Sequence, residues 1–155
     1  MRRSILVLVG AITVAPLFAI AATASDEANV MATVNQYNEA FNKNDAMKAQ
    51  AACAPQAIIL DDFPPHVWQG AAACSEWWNA LDAYNTKNVI TDGIVTLDKP
   101  WHVTVTGDRA YVVVPAKYTF KEKGKPVVES GSVWTFALQK LAGGWRITGW
   151  AWGQH

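Results

Sequence analysis

Two aspartates stand side by side in the stretch "IILDDFPPHVWQG", directly after a short apolar run and directly before two prolines. A carboxylate placed where a buried strand meets a stiff loop can do one of two things. It can cap the turn by accepting backbone N–H groups, as aspartates near prolines often do. Alternatively it can face an apolar hollow, where poor solvation raises its pKa and makes it a proton carrier at neutral pH. Strand alternation sends Asp61 and Asp62 to opposite faces, so the two do not read as a carboxylate dyad. Of the pair, Asp61 is the candidate base, with Phe63, Trp68 and Trp134 as apolar walls around it.

Other groups could assist. Tyr37 can polarise a carbonyl through its hydroxyl, although it lies on the apolar stripe of a helix and could equally pack in the core. His66, close to Asp61 along the chain, titrates near neutrality and is a candidate proton partner. Lys117 is the single charged residue within "YVVVPAKYTF" and could meet an anionic ligand group or simply reach solvent. Eight tryptophans all lie beyond residue 67, enough to suggest an aromatic-lined pocket in which Trp78 and Trp150 join Trp68 and Trp134 as ligand-contacting residues. Two cysteines with three scattered histidines make no metal site, and nothing in the sequence points to an organic cofactor.

These residues need elements to hold them. Val30, Val34, Tyr37 and Phe41 recur at helical spacing, which predicts a first helix over about Asp26 to Lys43, with Asp26 and Glu27 in its first turn. Asn44 and Asp45 offer capping side chains to a short second helix that ends before Pro55. "QAIIL" follows as a buried strand, and Cys74, Trp77, Trp78, Leu81 and Tyr84 mark one face of a third helix. Beyond Asn88, β-branched and aromatic runs are separated by "TGD", "KGK" and "AGG". They predict four long antiparallel strands at 90–105, 109–121, 126–141 and 145–152. In the last of these, strict alternation puts Trp150 and Trp152 on the face opposite Trp145 and Ile147. Helices first and a meander afterwards is an α+β pattern, three helices packed on one face of a curved antiparallel sheet.

Arg2 and Arg3 precede an apolar run to Ala22, and Ala22-Thr23-Ala24 is a small-residue cleavage pattern, so residues 1–24 read as a signal peptide and 25–155 as a single domain. Without Arg2 and Arg3 the 13 basic residues fall to 11 against 13 acidic ones, with no basic stripe, which argues against a nucleic-acid partner. After cleavage no segment is expected to engage a membrane, and a periplasmic or secreted location follows. In such a compartment Cys53 and Cys74 are expected to pair as a disulfide rather than remain buried thiols.

Three helices and a long-stranded curved meander in about 130 residues resemble the nuclear transport factor 2-like superfamily, which includes ketosteroid isomerase and small polyketide cyclases. The C-terminal "ALQKLAGGWRITGWAW" is similar to the last hairpin of that superfamily. On the ketosteroid isomerase pattern, "QYNEAFNKND" resembles the first helix, "QAIILDD" the first strand and "PPHVWQG" the loop before the third helix. The resemblance implies a cone-shaped fold, Tyr37 as oxyanion donor and Asp61 as general base, the arrangement for which that enzyme is a standard example. It departs at the third member, a protonated acid, whose place falls at about Val133 or Trp134; there the indole N–H of Trp134 is the donor on offer. Two functions therefore stand side by side: a non-catalytic pocket for a small hydrophobic ligand, and a cofactor-free proton-transfer enzyme acting as isomerase, cyclase or dehydratase. A homodimer through the sheet is the expected assembly.

Overall fold

The structure, a computed structural model, describes residues 17–154. Most of the expected leader lies outside the described residues. The first helix, α1, runs over Leu17–Asn42 and so begins nine residues before the expected Asp26. The alanine-rich segment ahead of Asp26 has high helix propensity and simply continues the helix. Asp26 is consequently not in a first turn; its Oδ1 instead accepts from Lys140 Nζ at 2.8 Å. The apolar stripe is as expected, with Val30, Val34 and Tyr37 buried. Asp45 caps α2 (Ala46–Ala52) by accepting from the Lys48 amide at 3.0 Å, and the helix ends ahead of Pro55.

Strand β1 (Cys53–Leu60) and the short strand β2 (Val67–Gly70) lead to α3 (Ala73–Asn88), after which β3 (Ile90–Leu97), β4 (His102–Thr106), β5 (Arg109–Glu122), β6 (Lys125–Leu141) and β7 (Gly144–Gly153) follow. They form one sheet in the order β2-β1-β7-β6-β5-β3, with β4 also on β5. The single strand expected over 90–105 is two, because Pro100 cannot donate to a ladder. Both pieces lie along the same edge of β5, β3 against its C-terminal half and β4 against its N-terminal half. The β2 strand was not foreseen.

The antiparallel sheet carries one parallel pairing, between β1 and β7, with Ile59 opposite Trp150 and Leu60 opposite Ala151. Gly149 allows the close approach: a Cβ there would lie 2.7 Å from the Ile58 carbonyl oxygen. The β6–β7 register slips between Ala137 and Leu138, whose partners are Gly149 and Ile147. This extra residue in β7 overturns the expected alternation. Trp145, Ile147 and Trp150 all join the core beneath the helices, because a bulge flips every side chain after it.

The helices cover one face of the sheet. Core residues come from α1, α3 and the inner faces of β1, β5, β6 and β7. The Cys53–Cys74 disulfide forms as expected and ties the start of β1 to the first turn of α3. Closing a loop of about 20 residues in this way contributes roughly 3 kcal/mol on the chain-entropy account. Its positional effect is to fasten α3 beside β1, so that Trp77, one helical turn past Cys74, comes to lie next to the residue that follows β1.

Candidate functional site

That residue is Asp61. The parallel register sets it one step beyond the Leu60–Ala151 pair, at the end of the sheet where β1 and β7 run out together. Its Oδ2 accepts from Trp77 Nε1 at 2.8 Å and its Oδ1 from the Asp62 amide at 2.8 Å. The side chain therefore makes both a turn contact and a contact into the interior. Burial raises the carboxyl strongly, the Trp77 hydrogen bond pulls it back, and the result is a group titrating at about 7 rather than 3.8.

Asp61 opens onto a cleft of about 360 Å³ between α3, the end of α1 and the inner face of the sheet. About half of its lining is aromatic, with Phe41, Phe63, Trp77, Tyr84, Tyr118, Phe120, Trp134, Trp150 and Trp152 all contributing. Many of these rings meet edge to face, as Trp77 and Trp150 do at 4.8 Å and 89°, so the wall is a braced lattice rather than a loose lining. Asp62 lines the same cleft, contrary to the alternation expected, because β1 ends at Leu60 and both aspartates lie in the turn beyond it; Glu122 and Glu129 add two more carboxylates. Burial and the charge of Asp62 raise Glu129, and burial together with Glu129, Asp61 and Asp62 pushes the Tyr118 phenol to about 12. A second hollow of about 640 Å³ adjoins the first along α3 and β3, sharing Phe41, Leu81, Asn85, Ile90 and Tyr118 with it.

Of the residues singled out from sequence, Asp61, Phe63, Trp134 and Trp150 come together in this cleft. Tyr37 does not line it. The tyrosine is 1 % exposed and sits behind Trp134 and Trp150, its hydroxyl accepting from Trp150 Nε1 at 3.2 Å. Burial holds its phenol well above the ordinary tyrosine range. His66 is exposed, with Nδ1 3.1 Å from the Asp61 backbone carbonyl oxygen rather than its carboxylate. Trp68 packs under Phe63, centroids 5.0 Å apart, and Trp78 lines the second hollow. Lys117 is exposed, because alternation along β5 turns it away from the side of Tyr118. Trp134 Nε1 is buried and has no hydrogen-bond partner among the described residues.

Several lining residues were not named as ligand contacts from sequence, although signals for them exist and the face carrying Trp77, Leu81 and Tyr84 was recognised. Trp77, Leu81, Tyr84 and Asn88 form a stripe along α3 at helical spacing, and Tyr118, Phe120 and Glu122 share one face of β5 at period two. Only the knowledge of which face looks inward was missing. Glu129 has no such pattern, because the ladder slips between Ala116 and Tyr118, whose partners are Ser132 and Glu129.

The architecture is shared with solved structures of low sequence identity. A nuclear transport factor 2-like protein with a cystatin-like fold from Novosphingobium aromaticivorans superposes with a TM-score of 0.72 at 15 % identity, over 89 % of this chain and 87 % of that one. A nuclear transport factor 2-like superfamily protein from Salmonella enterica gives 0.71 at 15 % identity, over 84 % and 92 %. A ketosteroid isomerase-like protein from Erwinia carotovora atroseptica gives 0.67 at 19 % identity, over 83 % and 95 %. These likenesses establish the nuclear transport factor 2-like fold. Residues 30–151 match the SnoaL-like domain, and the chain belongs to that family. No curated protein matches it in sequence.

Proposed function

We propose that the cleft is a binding site for a small organic molecule held through its apolar part, with Asp61 as the polar anchor. The observation that carries this reading is the placement of Asp61: a poorly solvated carboxylate, gripped by Trp77, at the wall of an aromatic hollow. A core needs no such opening, and a few convergent polar groups within an apolar pocket are the usual form of a ligand site. The cysteine bridge and the leader-like N-terminal sequence support export to an oxidising compartment as the setting.

The first test is a titration with 2-acetylnaphthalene, an uncharged aromatic ketone, followed through quenching of tryptophan fluorescence. Saturable binding to one site is expected, weakened several-fold by Tyr84→Ala, which removes a partly exposed cleft wall at the rim of the core, where its ring meets Phe63. Quenching that rises without saturation would sink the reading.

A second reading, cofactor-free proton transfer, is favoured by one observation, the titration of Asp61 near 7, where a general base works best at neutral pH. It requires that Asp61 move a proton on and off carbon next to a carbonyl. Deuterium uptake by an enolisable ketone in heavy water, read by mass spectrometry, is expected to fall to the solvent rate in Asp61→Asn. Tyr37 stands behind the wall and the Trp134 N–H is itself buried, so neither faces the cleft as an oxyanion donor in this reading.

A further inference from the structure

The charge on the cleft wall is one-sided. Asp61, Asp62, Glu122 and Glu129 line it, and among the described residues no lysine, arginine or histidine does. Glu122 is within 3.7 Å of Lys123, whereas Asp61, Asp62 and Glu129 have no ion-pair partner within 4.0 Å among the described residues. Nearby cations are committed elsewhere or face away. Lys121 is held by Asp92 at 2.9 Å beside the second hollow, and Lys117 lies on the other face of β5. Partly desolvated carboxylates without a counter-charge are costly, and an occupant that supplies the charge relieves them.

The form of that charge follows from the walls. Among the described residues no three His, Cys, Asp or Glu side chains converge as a metal site would require. The carboxylates are instead spread around a hollow of aromatic faces, whose π-systems attract a positive charge that is large and weakly hydrated. An anion meets repulsion from every charged group on the lining, at a range where the poorly solvating walls strengthen it.

We propose that the cleft takes an organic cation, an alkylammonium group with apolar substituents, lodged against the aromatic wall and neutralised by Asp61 and Glu129. The proposal rests on the cleft being a ligand site and names the chemistry of its occupant. The groups that share the field of Asp61 are Asp62 and His66 on its own loop, Tyr84 on α3, Tyr37 on α1, Tyr118 and Glu122 on β5, and Glu129 on β6. None of those on the cleft wall supplies a positive charge. A cation should therefore bind more weakly once Asp61 takes up its proton, as pH falls through about 7.

Three probes of one shape separate charge from apolar contact: choline, its uncharged isostere 3,3-dimethylbutan-1-ol, and 3,3-dimethylbutanoate. Binding to the full protein is measured by ligand-observed NMR at pH 8 and pH 5.5. The expected result is that choline binds about tenfold more tightly than the alcohol at pH 8 and that the carboxylate binds most weakly. The advantage of choline should shrink several-fold at pH 5.5, in Asp61→Asn and in Glu129→Gln; the second variant serves if the first fails to fold. An alcohol that binds as well as choline at pH 8 would overturn the proposal while leaving the ligand site standing. If 2-acetylnaphthalene binds and choline does not, the proposal falls alone. If none of the four molecules binds, the ligand site falls with it.

Discussion

Among the described residues two tryptophans donate their indole N–H to a side-chain oxygen, and the two pairs lie on either side of the same ring lattice. Trp77 donates to Asp61 at 2.8 Å at the cleft; Trp150 donates to Tyr37 at 3.2 Å in the core. The rings touch, Trp77 to Trp150 at 4.8 Å and Trp150 to Tyr37 at 6.3 Å, so one aromatic cluster supports both. What differs is the acceptor and its access. At the core the acceptor is a phenol whose ionisation burial suppresses, and the pair acts as a fixed buttress. At the cleft the acceptor is a carboxyl brought to about 7 by the same desolvation, yet still open to the cleft. Burial therefore silences one oxygen and arms the other, because the two start from opposite ends of the pH scale.

The largest effect should come from breaking the pairing that keeps these two sites together. Ile59 and Trp150 are register partners in the parallel β1–β7 ladder, and Gly149 lies beside the backbone of Ile58. Gly149→Ala places a methyl 2.7 Å from the Ile58 carbonyl oxygen, where backbone and not a yielding side chain must move. A loss of roughly 3 kcal/mol is expected in denaturant unfolding, together with loss of probe binding, since Asp61 is carried by the displaced strand. Unchanged stability would mean that β1 and β7 are less closely laced than this comparison requires.

Next in size is the pH dependence of the cleft pair. In the unfolded chain an aspartate loses its proton at about 3.8, whereas the folded chain holds it to about 7. Stability from this site is thus fully present below about 3.8 and is lost as pH rises through about 7. Asparagine keeps an acceptor for Trp77 but never ionises. The stability of Asp61→Asn relative to the parent should therefore rise by about 2 kcal/mol between pH 4 and pH 8, after allowance for solvent reaching the carboxyl. This rise comes on top of a pH-independent cost for the Asp62 amide, which loses its acceptor. A stability difference that does not vary with pH would contradict the proposed desolvation of Asp61.

How far sequence carries this comparison depends on which residue is considered. The helices, the long strands and the Cys53–Cys74 bridge are legible, because periodicity, caps and the number of cysteines act locally or by count. Asp61 is legible as a residue facing a hollow, since it ends an apolar strand. Its hydrogen bond to Trp77 is not, as it spans 16 residues and depends on a parallel pairing that no local pattern encodes. Strict alternation misplaces Trp150 relative to Trp145, because it cannot anticipate the extra residue in β7. The resemblance of "QYNEAFNKND" points to Tyr37, but whether its hydroxyl opens to the cleft is decided by Trp134 and Trp150, which lie about a hundred residues further along the chain.

That last point gives the smallest and sharpest test. Tyr37→Phe deletes the hydroxyl and leaves the Trp150 N–H without its acceptor inside the core. The expected cost is about 1 kcal/mol, since a buried donor loses its partner while the ring packing is kept. It should be the same from pH 4 to pH 9, because burial holds the phenol above its ordinary range and nothing in the pair titrates there. Binding of 2-acetylnaphthalene should not change, the tyrosine being behind the cleft wall. A tenfold loss of affinity for the ketone with stability unchanged would show that the hydroxyl reaches the ligand. In that case the core pair and the cleft pair form a single site, with Tyr37 as the carbonyl's donor and Asp61 as its base.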